Sequence, residues 1–181
     1  MLCISVSLLL MEIPPLYAQP EKFSSSFQEK LDALQLDVFL PLDSDYRTYP
    51  LASDAFQEYD YHIQSRKERM EIQFLAIPYQ ENKPGTHYPH IMASRTATHM
   101  ATNAEDAPIT LLSLGTKELE EFNADWGVIY FFTPKSQVSG RNHGELVALH
   151  KEDRGTAMIF FFFDDPDNPA IDYRFYSVQF Q

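Results

Sequence analysis

The sequence predicts an α+β domain built on a mainly antiparallel sheet, and three observations predict it. Tyr59, Tyr61 and Ile63 alternate with Asp60, His62 and Gln64, and Met70, Ile72, Phe74 and Ala76 alternate with Glu71 and Gln73, across the charged turn Ser65-Arg66-Lys67. Period two on both sides of a short turn signals an antiparallel hairpin with one wet and one dry face. Gly127 to Thr133 and Ala157 to Phe163 are apolar at almost every position, which suits central strands covered on both faces. From Pro89 onward, Ala93, Ala97, Met100, Ala101 and Ala104 fall on one helical stripe, small enough for a helix to pack closely on that sheet. A chain of 181 residues, 44% apolar and 14% aromatic, fills one domain.

At the N-terminus, Leu2 to Leu10 has the length of a signal-peptide apolar core, and Ala18 offers a small residue for cleavage before Gln19. Residues 1–18 read as an export signal and 19–181 as the folded domain, secreted or periplasmic. The apolar run is shorter than the roughly 20 residues of a membrane span, so no membrane anchor is expected. Cys3 is the only cysteine and lies in that signal, which leaves the exported chain without a disulfide or a thiolate site.

The elements follow in order. Ser25 with Gln28 forms a capping box ahead of a helix that buries Phe27, Leu31 and Leu34. Leu36 to Leu40 alternates and stops at Pro41, as a strand does. Asp43 to Gln57 is polar and irregular, a loop. After the hairpin, Asn82-Lys83-Pro84-Gly85 breaks the chain, and Pro89 sits well in the first turn of the alanine-rich helix. Ile109 to Leu114 is apolar and ends at Gly115, after which Thr116 caps a short acidic helix with Leu119 and Phe122 inward. Leu146 to His150 pairs with the aromatic run Ala157 to Phe163 across a turn where Gly155 supplies positive φ.

The formal charge of −12 sets up a field that repels phosphate backbones and anionic lipid, so nucleic acid is not an expected partner. His87, His90 and His99 invite a metal, but helical spacing sets His90 on the alanine face and His99 on the wet one, away from each other. Asp164-Asp165-Pro166-Asp167-Asn168 resembles a calcium loop only in its carboxylates, with Ala170 where the turn needs Gly. No nucleophile elbow, phosphate-binding loop, dinucleotide fingerprint or zinc-protease motif is present. The chain therefore reads as a non-enzyme without metal or cofactor. The most distinctive string is Asp125-Trp126-Gly127, with the only Trp. Trp126 either closes the end of the core or, with Asp125 and Lys135 and with Arg95 and His99 on the wet face of the helix, forms a surface for a partner or ligand.

An extended Leu36-Asp37-Val38-Phe39-Leu40-Pro41 opening, a hairpin, a helix and a set of strands ending in an aromatic one resemble the PsbP-like superfamily. That fold is shared by a photosystem accessory subunit and a Ran-binding nuclear factor. The resemblance covers roughly Leu36 to Phe163 and implies an α/β/α sandwich and a small binding or assembly module, with no functional residue carried over. The leading expectation is thus an exported accessory protein acting through protein contacts. The alternative is a small-molecule carrier with an aromatic-lined pocket, and a hydrolase using His99, His143 or His150 is third.

Overall fold

The run Ala157 to Phe163 organises the molecule. In the computed structural model, which describes residues 23–51 and 56–181, it lies within β8 (Gly155–Phe163), buried at every position. β8 is the middle strand of a seven-stranded antiparallel sheet. On one side come β4 (Met70–Pro78), β3 (Tyr61–Ser65) and the two-residue β2 (Arg47–Thr48). On the other come β7 (His143–Lys151), β6 (Trp126–Phe132) and β5 (Thr110–Ser113). A separate ribbon pairs β1 (Leu36–Val38) with β9 (Val178–Phe180), so the chain's C-terminal strand meets its opening one.

Strand alternation splits the core in two. Ile72, Phe74, Ile159, Phe161 and Val147 face one side, where they pack with Phe27, Leu31 and Leu34 of α1 (Ser25–Leu34), with Phe122 of α3 (Thr116–Phe122), with Ala170 of α4 (Ala170–Phe175), and with the β1–β9 ribbon. Phe160, Phe162, Met158, Leu146 and Tyr130 face the other, under Ala93, Ala97 and Met100 of α2 (Pro89–Met100). Ala93, Ala97, Met100 and Ala101 are buried, as the small-residue spacing predicts, but α2 ends at Met100, and Ala104, expected on the same stripe, lies beyond the helix and is exposed. The result is one α+β domain on a mainly antiparallel sheet.

Several details differ from the sequence reading. The cap of α1 is Ser24, whose hydroxyl accepts from the Phe27 amide, and Ser25 is the first helical residue. Gly115, not Thr116, precedes α3, and no side chain caps it. The Asp43 to Gln57 stretch contains β2, whose residues are exposed and carry no apolar signal. The tail after Asp164 folds into α4 and β9; α4 is held by Arg174, which bridges Glu68 and Asp43 at 2.7 and 2.8 Å. The hairpin's polar face is not wet throughout: His62 and Gln73 are buried, His62 with Tyr49 and Tyr59 against its ring. The turn after β7 behaves as expected, with Gly155 at φ 132°. A Cβ there would stand 2.3 Å from the Ile77 carbonyl oxygen. Residues 1–18, read as an export signal, lie outside the described residues. No helix among the described residues is long and apolar enough to cross a membrane.

Candidate functional site

The two edges of the sheet are built differently. β2 is two residues long, carries Arg47 and runs into Tyr49-Pro50, so brevity, charge and proline discourage any further strand from pairing with it. β5 has none of these within it. All four of its residues are exposed, Leu111 and Leu112 at 53% and 54%, and Ile109 just before them is exposed as well.

Register fixes which backbone groups are open. The Leu114 amide bonds to the Gly127 carbonyl at 3.1 Å, and Ser113 pairs with Val128, so with period two the amides of Leu112 and Thr110 also point to β6. The N–H and C=O of Leu111 and Ser113 therefore face outward, and among the described residues none of them is bonded on that side. Leu111 stands opposite Tyr130 and Leu112 opposite Ile129, which sets one leucine on each face of the edge. Burial raises the Tyr130 hydroxyl's pKa, partly offset by a hydrogen bond with Ser94 of α2. The α2 side of the edge is thus a step between helix and strand. Glu105 and Asp106 precede the strand, and Glu120 and Glu121 follow it in α3, all exposed.

The sequence-predicted surface does not assemble as one patch. Trp126 opens β6 and Lys135 lies three residues past its other end, a separation of about 20 Å along the extended strand alone. Trp126 is half-buried and packs on the core beneath α2. Asp125 is exposed but committed, accepting from Lys151 Nζ at 3.1 Å and from the Glu152 amide at 2.8 Å. The latter bond, helped by Lys151, holds its carboxyl below the usual range.

The structure does bring His99 and Lys135 together. Lys135 Nζ donates to the His99 carbonyl at 2.6 Å and lies 5.1 Å from the Phe56 ring centre, while the His99 ring stacks on Phe56 at 4.2 Å with planes 9° apart. This pins the segment before β3 onto α2. Arg95 is exposed on α2 one turn before His99. His90, expected on the alanine face, is exposed instead, because it occupies the first turn of α2, where the helix has not yet reached the sheet. Among the described residues no three His, Cys, Asp or Glu side chains converge as a metal site requires.

Sequence reasoning marked Ile109 to Leu114 as apolar but not as an open edge. Pro108 and Gly115 bracket that run, and acidic residues flank it, but neither feature reveals which strand lies outermost. Comparison with protein-family models, curated proteins and solved structures finds no match.

Proposed function

We propose that this protein is an exported, non-catalytic accessory module that binds another protein by accepting one of its extended segments along β5. The observation that carries this reading is the open edge: two outward N–H and C=O pairs with a leucine on either face, in a protein that blunts its opposite edge. An exposed apolar edge left bare promotes aggregation, so its retention favours a strand partner. Charge selects the partner's chemistry. With Glu105 and Asp106 just before β5 and −12 on the chain, a second copy would bring like charges together, whereas a segment flanked by Lys or Arg would be attracted.

Export through residues 1–18 and membership of the PsbP-like superfamily belong to the same reading. Helices on both faces of the sheet, α2 on one and α1, α3 and α4 on the other, are what such a sandwich would have, and proteins of that kind serve as small binding modules.

The test is native mass spectrometry of the tagged protein isolated gently from its host, followed by reconstitution with the purified partner and with a Ser113→Pro variant. Proline there deletes one outward donor and leaves the inward ladder intact. A stoichiometric protein partner whose binding is lost in the variant supports strand addition. An uncut cytoplasmic chain overturns the export reading, and a partner bound equally well by Ser113→Pro overturns the edge.

A further inference from the structure

On the face of the sheet away from α2, at the end of β7, lies a cleft of about 350 Å³ that the docking role does not use. Glu145 forms its floor, in a row across the sheet with Phe131 of β6 and Thr110 of β5. Two residues earlier on the same face, His143 stacks on Phe163 with ring centres 5.8 Å apart. Pro166, in the turn after β8, also lines the cleft. Among the described residues no Lys or Arg lines it, and nothing forms an ion pair or hydrogen bond with the Glu145 carboxyl.

The surrounding charge has one sign. Asp172 of α4 acts on Glu145 through space, and Asp165 and Asp167 are exposed in the adjoining turn. Asp164 is neutralised by Arg69 and Arg141, at 3.0 and 2.9 Å, so those guanidinium groups are engaged elsewhere.

We propose that this cleft binds a small organic cation, an amine with an apolar substituent, using Glu145 as its counter-ion and the Phe131 and Phe163 rings as its walls. A half-buried carboxyl with no cation of its own gains most from a ligand that brings one, and aromatic faces attract the same charge. An anionic ligand would meet Glu145 and Asp172 unscreened, and a neutral one would leave the carboxyl unpaired. Burial, with Asp172 adding to it, pushes the Glu145 carboxyl up to about 7, so cation binding has to draw off its proton. The groups facing it are Asp172 from α4, His143 on its own strand and the uncharged Thr110 from β5. The inference does not depend on strand addition at β5, although Thr110 of that strand lines the cleft.

The experiment titrates the purified protein with 2-phenylethylamine and, separately, with the neutral 2-phenylethanol, following amide resonances near β7. Saturable amine binding at pH 8, about tenfold tighter than the alcohol and weakening by up to about tenfold at pH 6 as Glu145 is protonated, is the expected result. Glu145→Gln, with its fold checked by the same spectra, should bring the amine down to the alcohol's level, while His143→Gln should keep both the preference and the pH dependence. Absence of saturable amine binding overturns the proposal, as does equal affinity for amine and alcohol. So does a pH dependence that survives Glu145→Gln and disappears with His143→Gln.

Discussion

The His62 imidazole on β3 lies 3.9 Å from the Glu71 carboxylate on β4, yet among the described residues neither of its ring nitrogens has a hydrogen-bond partner. Glu71 is turned instead toward Arg141, whose Nε donates to it at 3.2 Å. Burial pushes the imidazole down to about 4 from its ordinary 6.5, so the folded protein holds His62 neutral while the unfolded chain would charge it.

The pH profile of stability follows from His62 and Glu145 together. As pH falls from 6.5 to 4 the unfolded state takes up a proton at His62 that the native state refuses, so stability is lost in that direction, on the order of 3 kcal/mol. For Glu145, raised from 4.5 to about 7, the native state keeps a proton that the unfolded state has released. Its contribution is complete below 4.5 and is lost as pH rises through 7, by somewhat less because the group is more exposed. The two oppose each other between about pH 4.5 and 6.5, where His150, which burial also lowers, adds to the His62 side, so urea midpoints of the native protein should rise only shallowly with pH there. Glu145→Gln should uncover a steeper rise with pH across that window, and His62→Gln a fall. A steep native profile with level variants would refute the assignment.

Leu112 contributes to the edge and little to the core. Leu112→Lys should shift the urea midpoint by no more than about 0.5 kcal/mol in free energy while lowering light scattering on heating, because a charged edge no longer templates pairing. A large loss of stability would mean that the leucine is buried in solution.

Two glycines give a matched comparison. Gly155→Ala places a Cβ 2.3 Å from the Ile77 carbonyl at a positive φ, whereas Gly140 has nothing within 4 Å. Thermal denaturation should show a loss of at least about 2 kcal/mol for the first and a change within about 0.5 kcal/mol for the second.

Arg174 holds the C-terminal segment in place. Its guanidinium satisfies Glu68 and Asp43, and Glu68 also accepts from the Tyr46 hydroxyl at 2.7 Å. Arg174→Met should cost about 3 kcal/mol by stranding the half-buried Glu68 carboxylate. The double change with Glu68→Gln should recover part of that in denaturant titrations. A double-variant loss equal to the sum of the Arg174→Met and Glu68→Gln losses would show that the pair is not coupled.

Much of the architecture was legible because local pattern and burial coincide there. The alanine stripe of α2, the β3–β4 hairpin, the apolar run Ala157 to Phe163 of β8 and the positive φ of Gly155 all carry signals in neighbouring residues. The candidate sites were less so. Leu111 and Leu112 read as one more apolar strand, and Glu145 as one polar residue in an alternating run. Trp126 and Lys135, nine positions apart in sequence, are held apart by the length of β6 between them.

The sequence by itself determined the two packed faces of the sheet, since a strand such as Phe160-Phe161-Phe162-Phe163 cannot avoid burying both. It did not determine which strand would be outermost, nor that Val178 to Phe180 would return to pair with Leu36 to Val38. Those are decided by long-range pairing, in which short segments with weak local preference take whatever partner the rest of the sheet leaves open. Among the described residues, the same step turned Glu145 toward a cleft without a cation and left the outward backbone of Leu111 and Ser113 unpaired. Only the assembled sheet specifies what a side chain or an edge has for a neighbour.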